Sequence, residues 1–170
     1  AVTGQSYGGY GQAIAGAAIA ILSPMLGAVA DAGGPRKPWI GVFLLPCALG
    51  SFLLWWALPG LGGGALVGVL AAIVLATIGI EFAGVLNNAM LPSLVPERRL
   101  GRLSGFAWGL GYVGGLIALF VVLLGFTLPE PPLFGIDKAA HEHDRLVGPL
   151  SAVWLVVFAL PLFLFTPDVP

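Results

Sequence analysis

The sequence predicts an all-α, polytopic transmembrane helix bundle of five spans, and three observations predict it. Of the 170 residues, 58% are hydrophobic and only 9% are charged. A soluble globular domain carries roughly 25% charged residues, so too few charges exist here to cover a water-soluble particle. Long apolar runs recur along the chain, each long enough for the roughly 20 residues of helix that a bilayer requires. Most charged residues fall in short clusters between those runs. Mean hydropathy is +1.00. A net charge of −1 points to neither a nucleic-acid nor an acidic partner. Cys47 is the single cysteine and lies in an apolar run, so there is no disulfide framework. Nothing resembles a cleavable signal peptide.

The first span covers about residues 11–30, with Gln12 and Ser23 as polar spots and Pro24 as a kink point. The second, about 39–58, contains Pro46 and ends in Trp55 and Trp56, which suit an interfacial aromatic belt. The third, about 64–91, carries Glu81 within its apolar run and is followed by Pro92. The fourth, about 103–127, is rich in glycine, and the fifth covers about 146–165. Helices follow from these lengths, because barrel strands are about 10 residues of alternating polarity. The chain starts at Ala1 without methionine and stops soon after an apolar run, so it is expected to be a piece of a longer protein.

The loops set the expected orientation. Arg36 and Lys37 lie in one loop and Arg98, Arg99 and Arg102 in another, against only Lys138 and Arg145 in the intervening ones. The positive-inside rule places the Arg36 and Arg98 loops in the cytoplasm. The arginines of the second cluster are most simply orientation charges near anionic headgroups. The segment "HEHD", with His141 and His143 flanking Glu142, invites a metal reading. No third cluster of ligands accompanies it, so a solvated outer loop is the expectation and no metal is assigned.

Within the fourth span, Gly109-Leu110-Gly111-Tyr112-Val113-Gly114 spells G-x-G-x-x-G. A dinucleotide site would need a preceding strand and an acidic residue about 20 positions later; no strand precedes this run, which lies within an apolar span, and no acidic residue follows until Glu130. Gly101, Gly105 and Gly109 recur every four residues, as do Gly111 and Gly115. Residues four apart share a helix face, so these glycines are expected to form smooth strips for helix packing. Tyr112, like Gln12 and Ser23, reads as interhelical glue.

The loop Gly27-Ala28-Val29-Ala30-Asp31-Ala32-Gly33-Gly34-Pro35-Arg36-Lys37 resembles the G-x-x-x-D-R-x-G-R-R signature of major facilitator superfamily transporters. Gly27, Asp31, Gly34 and Arg36 fall on that pattern and Lys37 follows it, while Ala32 and Pro35 depart from it. Those departures weaken the ion pairing the family builds there. The loop is expected to turn on Gly33-Gly34, with Asp31 capping a helix end or pairing with an arginine. Asn88-Ala89-Met90-Leu91-Pro92, then Ser104-Gly105 and Trp108, resemble the branch containing the vacuolar amino-acid effluxers and their bacterial relatives. The resemblance implies helices two to six of an expected twelve, hence most of an amino-terminal half. It also implies a bacterial inner membrane or vacuolar-type membrane, and amino-acid efflux as a substrate class.

Glu81 is the most informative residue. Placing an ionisable group at that depth costs roughly 2.5–3.5 kcal/mol, and such groups usually face a cavity or a partner. At 100° per residue, Thr77, Glu81, Gly84 and Asn88 share a stripe, which the resemblance implies borders a central cavity. There Glu81 could take up and release a proton, with Thr77 and Asn88 beside it; a structural carboxyl is the alternative. Asn88 could contact solute or satisfy backbone carbonyls freed by Pro92, and Asn87 reads as structural. No catalytic set can be assembled, so no enzyme activity and no cofactor are expected. The reading is a secondary transporter of small solutes working by alternating access. Its partners are the bilayer, the solute, and the missing first helix and carboxy-terminal half of the same protein. The alternative is a non-transporting membrane subunit or assembly module.

Overall fold

The computed structural model describes residues 2–31, 34–58, 60 and 62–168; the side chains of residues 2–4, 26 and 29–31 lie outside this description. The chain is all-α, with no strand among the described residues. Five long helices form the body: α1 (Val2–Asp31), α2 (Lys37–Leu53), α3 (Gly63–Leu94), α4 (Glu97–Val122) and α6 (Val147–Phe165). A four-residue helix, α5 (Glu142–Arg145), precedes the last. Segments 37–56, 63–94, 97–127 and 142–165 are each long and apolar enough to cross a membrane. With α1, thirty residues long and with Pro24 inside it, they make an integral membrane helix bundle.

Helix ends extend beyond the apolar runs for identifiable reasons. α4 starts at Glu97 rather than in the apolar stretch after Arg102. Its charged first turn forms good helix, with Pro96 as the residue before it and Glu97 at the positive end of the dipole. α2 takes Pro38 in its first turn, where the missing N–H costs nothing, and closes through a 3-10 turn at Leu54–Trp56. The loop before α5 is ordered locally: Asp137 Oδ1 accepts from the Ala139 and Ala140 N–H groups, and Glu142 Oε2 accepts from the Asp137 N–H.

The centre of the bundle is the seam between α2 and α3. Lipid tails are as apolar as leucine, so helices associate in a membrane by close packing rather than by leaving water. Small residues make that possible here. Gly50 lies against the Ala72 carbonyl and the Ala76 methyl, and Gly79 against the Phe43 carbonyl and Pro46. As α2 numbering rises the α3 partners fall, so the two helices are antiparallel. Further along, the seam widens to take Ile40, Ala83, Leu86 and Met90, all buried, with Phe43 edge-on to Phe82 at 5.3 Å.

α6 runs antiparallel to α2 on its other side and is tied to it at both ends. At one end Asp168 accepts from the Arg36 N–H (2.9 Å) and the Lys37 N–H (3.1 Å), and Lys37 Nζ donates to the Phe163 carbonyl (3.0 Å). A carboxylate is well placed there, facing the free amides of a helix N-terminus. At the other end Arg145 donates to the Trp55 carbonyl (2.9 Å) and lies over the Trp55 ring at 5.1 Å. Between these ties, Gly148 admits the backbone of Ser51 and the side chain of Leu54. α4 is the outlier: none of its residues is buried.

Candidate functional site

The Ala72, Ala76, Gly79, Ala83, Leu86 and Met90 face of α3 is committed to α2. At 100° per residue, Glu81 falls on the opposite side of the helix. Thr77, Gly84 and Asn88 flank it within about 60°. Gly84 and Asn88, with Asn87 and Leu91, line a cleft of about 250 Å³ whose other wall is Ser104, Ala107, Trp108 and Gly111 of α4. Glu81 lies two turns from Asn88, about 10 Å along the axis. The polar groups of two helices that touch only lightly thus converge along one side of α3.

Their hydrogen-bonding state marks this side as distinct. Thr77 is satisfied locally, donating to the Ile73 carbonyl at 2.9 Å. Glu81, Asn87 and Asn88 are exposed and Ser104 is half-buried, and none of the four makes a side-chain hydrogen bond or ion pair among the described residues. Asn88 makes no capping bond at the end of α3, where the Ser93 hydroxyl donates to the Met90 carbonyl (2.7 Å). Open amides, a hydroxyl and a carboxyl around a small cleft are what a site for a small polar solute needs. Trp108 adds an aromatic wall, with Tyr112 at 6.2 Å from it.

A larger groove of about 480 Å³ lies between α2, α4 and α6. Its lining is apolar apart from Ser51, Ser151 and Cys47, so it offers volume without convergent polar groups. The α3–α4 cleft is the better candidate on chemistry.

The sequence expectations meet this geometry unevenly. Glu81, Thr77 and Asn88 share one side of α3, but Asn87, read from the sequence as structural, lines the cleft beside Asn88. Ser104 and Trp108 join it from α4, and tandem asparagines opposite a serine and a tryptophan were the available signal. In the loop motif, Gly27 lies in α1 and has open space around it, as has Gly34. Arg36 and Lys37 lie at the start of α2. Gly33 and the side chain of Asp31, with its expected capping or pairing, lie outside the described residues. A carboxylate does cap the α2 N-terminus, but it comes from Asp168, which the motif does not contain. At Gly101, Gly105, Gly109, Gly111 and Gly115 no atom of the described residues beyond the helix's own local backbone comes within 4 Å of an added Cβ. Among the described residues, Gly50, Gly79 and Gly148 are the glycines that press against the backbone of a neighbouring helix.

His141 precedes α5 and His143 lies within it. His141 Nδ1 lies 3.1 Å from Asp144 Oδ2, and His143 Nε2 lies 3.5 Å from Asp144 Oδ1. The described residues contain no group of three or more ligands able to hold a metal ion.

Comparison with known proteins adds a second line. The family model for vacuole effluxer Atg22 like proteins matches residues 1–170. The chain is 26% identical over 163 residues to an uncharacterized MFS-type transporter, YxiO, of Bacillus subtilis (strain 168). That similarity covers 92% of this chain and 35% of the relative, so the chain spans about a third of that protein's length. No solved structure matches it.

Proposed function

The chain belongs to the vacuole effluxer Atg22-like family, and on that premise we propose that it forms part of a secondary transporter of small solutes. In this reading five spans cross the membrane, with the Arg36 and Arg98 loops in the cytoplasm. The described helices belong to one half of a larger bundle. That half rocks against the remainder about a midplane site, opening it to each side in turn.

The solute sits in the cleft between α3 and α4. Asn87 and Asn88 offer amide donors and acceptors, Ser104 a hydroxyl, and Trp108 an apolar wall. Glu81, two turns away on the same side of α3, takes up a proton on one side of the membrane and releases it on the other. A carboxyl suits that role because the bilayer penalises its charge, so its protonation state can be tied to which side the cleft faces. Amino acids are the first solute class to try, since their ammonium and carboxylate groups match amides and a hydroxyl.

One observation carries the reading: Asn87, Asn88 and Ser104 line the cleft with no side-chain hydrogen bond among the described residues, and Glu81, likewise without one, lies two turns from Asn88 along α3. The test is solute flux into proteoliposomes containing the full-length protein. Replacing Asn88 with Ala should raise the half-saturating solute concentration roughly tenfold, as expected for one lost hydrogen bond. Unchanged half-saturation would remove Asn88 from the site.

A further inference from the structure

The start of α4 carries a concentrated and unneutralised positive charge. Arg98, Arg99 and Arg102 are all exposed there, and none forms an ion pair among the described residues. Only Glu97 opposes them in the first turn. At 100° per residue Arg99, Arg102, Leu103 and Phe106 share a face of the helix. With Val95 they line an open cavity of about 530 Å³. Arg98 lies about 100° from Arg99, though about 40° from Arg102, and does not line the cavity.

The same face then continues along α4 as a row of large apolar side chains. Phe106 is 66% exposed, Leu110 56%, Val113 53% and Ile117 50%. One side of this helix therefore has two guanidinium groups at its end and an uninterrupted apolar row beyond them. Gly101 and Gly115 fall on the other side of the helix, about 160° from Arg99.

We propose that this face binds an anionic phospholipid. Arg99 and Arg102 hold the phosphate through paired N–H donors, the geometry for which guanidinium is suited. Phe106, Leu110 and Val113 lie along the acyl chains. The match is to an amphiphile. A free phosphate would use the arginines and leave the apolar row idle, and an acidic protein segment would bring polar backbone against that row. Arg98, off the cavity, contributes only general attraction.

Native mass spectrometry of the purified full-length protein tests this, using phosphatidylglycerol and phosphatidylcholine of matched chains. The unmodified protein should prefer phosphatidylglycerol, and added salt should reduce that preference. The double variant Arg99→Gln/Arg102→Gln should weaken phosphatidylglycerol binding on the order of tenfold, while Arg98→Gln changes it little. Inorganic phosphate at millimolar concentration should not displace the lipid. Equal binding of the two lipids by the unmodified protein would overturn the proposal, even if the double variant fails to fold. An equal loss with Arg98→Gln would also overturn it, by reducing the effect to diffuse surface charge. Displacement by phosphate alone would leave only an anion site.

Discussion

Replacing Gly79 with alanine should loosen the centre of the bundle. A methyl group at Gly79 would run into the backbone carbonyl of Phe43 and come within 3.5 Å of Pro46 Cγ. Neither the new Cβ nor the opposing carbonyl can rotate away, so α2 and α3 must separate. Forcing a methyl into a packed seam costs about 1–3 kcal/mol, and a backbone obstacle places this case near the top of that range. Alanine recovers about 1 kcal/mol through its better helix propensity, leaving a net loss of about 2 kcal/mol. For a domain of this size that lowers Tm by roughly 4–8 °C. Cys47 supplies the assay: it lies on α2, is only 9% exposed and lines the groove toward α4 and α6, so a thiol-reactive dye reports loosening of the packing around α2 as temperature rises. Gly109→Ala is the contrast, since no atom lies within 4 Å of an added Cβ there, and it should leave the labelling midpoint unchanged or slightly raised. A Gly79 variant as stable as the parent would refute the seam as described. A loss at Gly109 as large as that at Gly79 would mean that another backbone does cover the α4 glycines.

Two further outcomes follow from the ties between α2 and α6. Asp168→Ala removes the acceptor for the Arg36 and Lys37 N–H groups and should cost about 1–2 kcal/mol, read as a lower thermal midpoint; Asp168→Glu should recover less than half. Arg145→Lys keeps the charge but loses the fork that serves the Trp55 carbonyl and ring, which should cost about 1 kcal/mol and change Trp55 fluorescence.

The membrane fold was legible because it rests on a long-range average: a run of apolar residues declares a span whatever its neighbours are. The same insensitivity to neighbours hid the packing. Six glycines crowd the fourth span and drew the packing expectation, while Gly50 and Gly79 belong to no four-residue glycine repeat. What distinguishes the latter is the Phe43 carbonyl and the Ala72 backbone opposite, and no local pattern encodes which helix comes to lie there. Charge followed the same rule. Glu81 was conspicuous because a carboxyl in an apolar run is costly wherever it points. Asp168, 132 residues from Arg36, could be matched to its partners only once α6 was laid against α2. Asn87 and Asn88 are adjacent, so a single stripe drawn at 100° per residue admits one and rejects the other. A cleft between two helices is wider than a stripe, and both side chains reach it.

The central claim is that the open side of α3 couples a proton to solute movement, and Glu81→Gln tests it most directly. The variant keeps the size of the side chain and removes its capacity to release a proton. Full-length parent and variant would be reconstituted in proteoliposomes, and amino-acid accumulation measured with and without an imposed pH gradient. The account predicts that the parent accumulates solute only with the gradient. The variant should lose that response while still exchanging labelled for unlabelled solute at equal pH. A variant that responds to the gradient as the parent does would contradict the account, and Glu81 would then be a structural carboxyl.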